Sequence, residues 1–338
     1  MGFTHRQLFQ KHMAPTSDAP LALEIKSAEH IYLTDTAGKK YIDLISGIAV
    51  SNVGHRNPEV VKAIKDQLDQ YMHLMVYGEY IQSPQVLLAE ALAKSTNTDS
   101  LNQVYFTNSG TEAVEGAMKL AKRYTKRREI ISCHNAYHGA TQGALSLAGD
   151  EHFKNSFRPL LPDIRHIQHG NLDDLNQITT KTAAIFIEIV GGEAGIKTAS
   201  KAYFKALRAR CTEVGCLLIL DEIQTGFGRT GTFWAFQAMD IVPDVLLSAK
   251  GMGGGMPIGA FIANESMMQT LSYAPVLGHI TTFGGHPVSC AASLATLNFI
   301  QKNQLLDKIE EKHQLFKELL RHPIIKEFRG VGLMIAVE

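Results

Sequence analysis

The chain has little cysteine, one tryptophan, no excess of either charge and no long apolar run. Four cysteines in 338 residues, at 133, 211, 216 and 290, are too few and too unevenly spaced for a disulfide framework or a C-x-x-C zinc site. Buried free thiols in a reducing compartment, and no metal site, are the expectation. The 33 basic and 33 acidic side chains cancel, so no electrostatic reason exists to expect a nucleic-acid or anionic-membrane partner. No stretch approaches the ~20 apolar residues of a membrane span. The opening MGFTHRQLFQKHM lacks the apolar core of a signal peptide, and Arg6 stands where a myristoylation motif needs Ser or Thr. These features point to the cytoplasm. What is present is an ordinary globular composition, long enough for about two domains at roughly 100–200 residues each.

Residues 29–44, EHIYLTDTAGKKYIDL, alternate apolar and polar residues on both sides of an Asp-Thr-Ala-Gly turn, the pattern of a β-hairpin. PEVVKAIKDQLDQY and SPQVLLAEALAKS then show apolar residues at helical spacing after an early proline. Apolar strand candidates follow at 103–106, 129–133, 183–190, 216–220, 244–249 and 258–263, alternating with helical stretches. Strands apolar on both faces between helices predict an α/β domain with a mostly parallel sheet covered on both sides. After TTFGGHP a helical region is expected to about residue 322, and GVGLMIAVE reads as a final strand with no visible partner.

Ligands of such sheets sit beyond the carboxyl ends of the strands, and three loops there are unusual. In TNSGTEAVEGAMKLAKRY, Ser109-Gly110-Thr111 opens a helix whose free N–H groups suit a phosphate; a plain N-cap with Glu112 in the first turn is the simpler reading. In LLILDEIQTGFGRTG, Asp221 and Glu222 follow five apolar residues, where a carboxylate can bind a metal, pair with a cationic ring nitrogen, or merely cap the next loop. A nucleotide-dependent enzyme would need G-x-x-x-x-G-K-[ST] upstream, which the chain lacks. In DVLLSAKGMGGGMPIGA, Lys250 ends a strand beside a flexible glycine loop, a setting for partial desolvation and Schiff-base chemistry; an exposed surface lysine is the ordinary alternative. Together, a phosphate cradle, a strand-end carboxylate and a strand-end lysine match the needs of pyridoxal phosphate.

From about residue 15 onward the chain resembles the class III pyridoxal-phosphate aminotransferases, which include acetylornithine, ornithine and ω-amino-acid aminotransferases. NSGTEAVEGAMKLAKRY, AYHGAT, EIVGGEAG, LILDEIQTGFGRTG, SAKGMGGGMPIGA and TTFGGHP occur in the family's order. The resemblance implies a fold-type I transferase with a large domain and a small α+β domain. It places the hairpin arm of the small domain at 1–50, the large cofactor domain at 51–285, and the start of the C-terminal small domain at 286–338, with later segments expected to follow in a longer chain. It implies that Gly110 and Thr111, with Ser109 nearby, hold the phosphate. Tyr137 would stack on the ring, Asp221 keep the ring nitrogen protonated, Gln224 bond the ring hydroxyl, and Lys250 form the internal aldimine. Thr282, with Thr281 as a second candidate, would reach the phosphate of a neighbouring subunit in a homodimer. The implied reaction is transamination between an amino acid, ω-amino acid or diamine, acetylornithine-like or related, and a 2-oxo acid such as 2-oxoglutarate. A decarboxylating transaminase or an aminomutase is the nearest alternative within the fold, and a catalytically incomplete binding protein a remote one.

Some positions depart from the family pattern. Ala140 stands where the ornithine-type enzymes carry a carboxylate-clamping arginine, which points away from that substrate type. Ile189 and Gly191 replace the usual Pro and Gln, and His286 the common Asn. Glu193 matches a gating glutamate and is the substrate-side candidate. His138 reads as structural.

Overall fold

The computed structural model describes residues 2–338. Near its start, β1 (Ile25–Glu29), β2 (Tyr32–Asp35) and β3 (Lys40–Ile42) form an antiparallel three-stranded sheet. The turn expected between β2 and β3 is closed by Asp35, whose Oδ1 accepts the N–H groups of Ala37 and Lys39, both at 2.9 Å. The preceding segment adds β1 to the expected hairpin.

The apolar runs fold as β4 (Gln103–Thr107), β5 (Glu129–Cys133), β7 (Thr182–Glu188), β10 (Leu217–Asp221), β11 (Val245–Ser248) and β12 (Gly259–Ala263). An edge strand, β6 (Ile164–Ile167), joins them, and the short β8 (Val190–Gly191) and β9 (Lys197–Thr198) pair apart from the main sheet. The seven-stranded order is β4-β12-β11-β10-β7-β5-β6. Pairings are parallel except on both sides of β12, so the sheet is mixed and mostly parallel. Sequence pattern passes over β6 because IRHI carries two polar residues and pairs only along one side.

Every residue of β7, β10, β11 and β12 is buried, as strands covered on both faces must be. Alternation divides them between two cores. Ile185, Ile187, Leu218, Leu220 and Leu246 pack with the helices Ser83–Ser95 and Lys201–Val214. Ala184, Phe186, Ile219 and Leu247 face the helix Gly110–Thr125 through Val114, Ala117, Leu120 and Ala121. All four cysteines are free and buried. Among the described residues no helix is long and apolar enough to cross a membrane.

The C-terminal region corrects one expectation. The helical stretch is broken after Pro287–Lys302 and resumes at Ile309–Leu319. GVGLMIAVE is not one unpaired strand: it turns at Gly332-Leu333, so that β13 (Phe328–Val331) pairs antiparallel with β14 (Met334–Val337). Gly332, at φ 57°, supplies the left-handed turn residue, and a Cβ there would lie 2.5 Å from the Thr230 carbonyl carbon.

Candidate active site

The parallel strands β7, β10 and β11 deliver their carboxyl ends to one side of the sheet, where a cavity of about 730 Å³ opens. Ser109, Gly110, Thr111, Tyr137, Glu193, Asp221, Gln224 and Lys250 all line it. Thr281 and Thr282 do not: Thr281 Oγ1 accepts the Gly284 N–H at 2.8 Å, and Thr282 is exposed.

At one end of the cavity stands the 16-residue helix Gly110–Thr125. Its first N–H groups have no intrahelical partners. The Ser109 hydroxyl accepts the N–H of Glu112 at 3.3 Å and the Ser109 carbonyl that of Ala113 at 3.1 Å, leaving the N–H groups of Gly110 and Thr111 for an anion. Glu112 turns back to accept the N–H and side-chain amide of Asn108 at 2.8 and 2.9 Å. The loop is thus a capped helix start that leaves two N–H groups able to meet an anion. Close packing sets its position, since a Cβ on Gly110 would lie 2.7 Å from the Ile223 side chain and one on Gly259 would lie 2.2 Å from the Ser109 carbonyl oxygen. Gly259→Ala is therefore expected to push the Ser109 carbonyl away, lowering Tm by several degrees, for a loss of about 1–3 kcal/mol. It should also weaken phosphate-ester binding, measured by titrating the purified variant. An unchanged Tm and affinity would contradict this packing.

The floor is acidic. Asp221, 4% exposed at the end of β10, accepts from Ile223 N–H at 3.0 Å and meets His138 Nδ1 at 2.7 Å. Burial of the His138 ring opposes its charge, but the Asp221 hydrogen bond and charge prevail and raise its pKa. Glu188 ends β7 directly opposite Asp221 in the ladder and also lines the cavity. Its neighbour in sequence type, Glu222, turns the other way: it accepts from the N–H groups of Ala235 and Phe236 at 2.7 and 2.8 Å and from Thr225 Oγ1 at 3.1 Å. Asp221 and Glu222 therefore do not converge on a shared ion, which removes the metal reading of that pair. Among the described residues no group of three or more His, Cys, Asp and Glu side chains is placed to hold a metal.

Lys250 follows β11 at φ 46°, in the left-handed region, which costs a non-glycine residue roughly 1 kcal/mol. Burial lowers its pKa, while Asp221, Glu188 and Glu193 pull it back up. A partly desolvated amine beside buried carboxylates is poised to act as nucleophile and proton carrier. Tyr137, 40% exposed, forms one wall. Gln224 forms another, packed so closely on Gly192 that a Cβ there would lie 2.1 Å from Gln224 Oε1. Ala140 lines the cavity, Glu193 is exposed at it, and among the described residues no arginine lines it.

Two residues that the structure brings to the cavity escape sequence pattern. His138 contacts Asp221 across 83 positions of chain, a pairing no local signal announces. Glu188 carries the same signal as Asp221, an acid closing a long apolar run, but the apolar residues after it make it read as strand interior.

The sequence model of a family described as aminotransferase class-III matches residues 13–338. An acetylornithine aminotransferase of Methanopyrus kandleri is 39% identical over 337 residues, covering 98% of this chain and 85% of the relative. One of Clostridium acetobutylicum is 40% identical over 319 residues, covering 90% and 80%. Among solved structures, the taurine:2-oxoglutarate aminotransferase of Bifidobacterium kashiwanohense, in complex with pyridoxal phosphate and glutamate, superposes with TM-score 0.89 at 30% identity, over 98% of this chain and 81% of that one. The ornithine aminotransferase of Toxoplasma gondii does so with TM-score 0.90 at 28% identity, over 99% and 81%.

Proposed function

This chain belongs to the class-III aminotransferases and is a pyridoxal-phosphate-dependent transaminase of amino acids; we propose that its donor is an ω-amino acid or diamine and its acceptor a 2-oxo acid such as 2-oxoglutarate. The observation that carries the donor class is the wall formed by Ala140: among the described residues no arginine lines the cavity, so nothing there clamps a carboxylate at the donor's far end, which a diamine lacks altogether. An acetylornithine-like donor is the second reading, favoured by the 39–40% identity to acetylornithine aminotransferases.

The donor set fits the cofactor: a helix start with two free N–H groups for a phosphate, a buried carboxylate for a ring nitrogen, and an amine for an aldehyde. When bound, pyridoxal phosphate supplies an aldehyde that links to primary amines and a cationic ring that draws electrons from the bond beside the linked nitrogen. The N–H groups of Gly110 and Thr111 hold the phosphate, with Ser109 beside them. Asp221, kept in place by His138, holds a proton on the ring nitrogen. Gln224 hydrogen-bonds the ring hydroxyl and Tyr137 covers a ring face. Lys250 Nζ would be the amine that holds the cofactor's aldehyde and the base and acid that moves a proton. Glu193 meets the substrate's far end.

The site is completed by a second copy of the chain. Thr281 and Thr282 lie outside their own cavity, and large apolar side chains stand in the open: Phe283, next to them in sequence, is 52% exposed, Val276 72% and Ile81 96%. Such surface is expected to be covered in a homodimer, with Thr282 reaching the partner's phosphate site.

An amino-donor panel, run against 2-oxoglutarate and pyruvate with product identification, tests this reading. Diamines and ω-amino acids should turn over at least tenfold faster than N-acetylornithine, a difference of about 1.4 kcal/mol. Preference for N-acetylornithine would select the second reading.

A further inference from the structure

Tyr137 and His138 are consecutive residues of one loop, and two adjacent strand ends reach them. Asp221 on β10 holds the second through His138 Nδ1. Glu188 on β7 meets the first: one carboxylate oxygen accepts the Tyr137 backbone N–H at 3.4 Å, and the other accepts the Gly192 N–H at 3.2 Å. Gly192 in turn packs on the Gln224 amide. Resting on the cofactor-site reading above, we propose that Glu188 is a positioning residue: its two carboxylate oxygens tie the loop that bears Tyr137 to the turn that backs Gln224, fixing the separation between the ring-covering side chain and the partner of the ring hydroxyl.

Glu188 is 8% exposed and accepts no side-chain hydrogen bond, so those two backbone donors are its whole polar environment apart from nearby charges. Burial pushes its carboxyl up to about 7; His138 pulls it down and Asp221 pushes it up. The other titratable groups that feel its charge are Lys250 beyond β11 and Cys133 at the end of β5, and His169 Nε2 meets its main-chain oxygen at 3.1 Å. The sign follows from hydrogen-bond chemistry. The ionised carboxylate offers both oxygens to N–H donors, and charge-assisted bonds are roughly twice as strong as neutral ones. The neutral acid offers one acceptor, as glutamine does, and leaves the other donor unpaired. The clamp therefore tightens as pH rises through about 7.

Glu188→Gln imitates the protonated parent and gives a direct test. Pyridoxal phosphate is titrated into apoprotein, following the visible band and fixing the bound cofactor on Lys250 by borohydride reduction for mass mapping. Near pH 6 the variant and parent should bind alike; near pH 8 the variant should bind about tenfold more weakly. Combining Glu188→Gln with Tyr137→Ala should cost less than the sum of the two changes at pH 8, because the one acts through the other. In the parent alone, without cofactor, amide exchange at Tyr137 and Gly192, corrected for its intrinsic pH dependence, should slow as pH rises through about 7; this holds even if the variant is poorly folded. Equal affinities at both pH values, additive effects, or exchange at these amides indifferent to pH would overturn the role of Glu188 while leaving the Lys250 adduct in place. Absence of the adduct in both proteins would instead overturn the site reading on which it rests.

Discussion

Lys250→Ala is expected to abolish the visible absorbance of lysine-linked cofactor and to lower turnover by roughly 10⁴-fold, since the variant loses both the nucleophile and the group that moves the proton. The fold should survive: alanine at φ 46° bears the same backbone strain, and the deleted side chain opens into a cavity rather than into the core. A variant with the parent's absorbance would remove Lys250 from the chemistry. The parent also has a directional pH signature. Burial lowers the Lys250 pKa below that of free lysine, against the pull of Asp221, Glu188 and Glu193. The neutral amine is the reactive form, so capture of the aldehyde should accelerate as pH rises through that lowered value and level off above it. Stopped-flow absorbance measures this, and a rate that climbs only near the ordinary lysine value of about 10.4 would contradict the desolvated setting.

Asp221→Asn is the second large effect. Asparagine keeps the shape but removes the one carboxylate that pairs with His138 on the floor, so the proton on the ring nitrogen loses its buried counter-charge. Loss of one preorganised electrostatic contact of this kind costs about 10²–10³-fold in turnover. Substrate KM should change far less, because the donor meets other walls of the cavity. The stability signature differs in sign from a simple carboxylate loss. The raised pKa of His138 means that its pairing with Asp221 stabilises the folded chain fully below the unfolded histidine value of about 6.5 and is lost as pH rises through the folded value. The Tm gap between parent and variant should therefore be widest in mildly acidic buffer and narrow as pH rises. A gap that widens with pH would show that the pair is not the charged one described.

How far the site can be read from the chain depends on how local each feature is. Asp221 and Lys250 stand at the ends of unbroken apolar runs, and Ser109-Gly110-Thr111 stands where a strand gives way to a strongly amphipathic helix; each boundary is written in a few consecutive residues. The buried strands are equally local, because residues covered on both faces leave no polar alternation. Ile164–Ile167 is not, since an edge strand needs no such run. The final strand is misread for a related reason: GVGLMIAVE is continuous in hydrophobicity, and only Gly332 at positive φ divides it into a hairpin that pairs with itself.

Alone, then, the sequence determined the α/β class, the strand-end acid and lysine, and the helix start at Ser109-Gly110-Thr111, because period, run length and glycine placement act over a few residues. Tertiary structure decided which of these share a cavity, that Asp221 is held by His138 while the Glu222 side chain turns to other partners, that Glu188 faces Asp221 across the ladder, and that Thr281 and Thr282 lie outside their own chain's cavity. Those relations join residues dozens to over a hundred positions apart, and strand order, which places β7 beside β10 and β12 antiparallel between β4 and β11, is what brings them together.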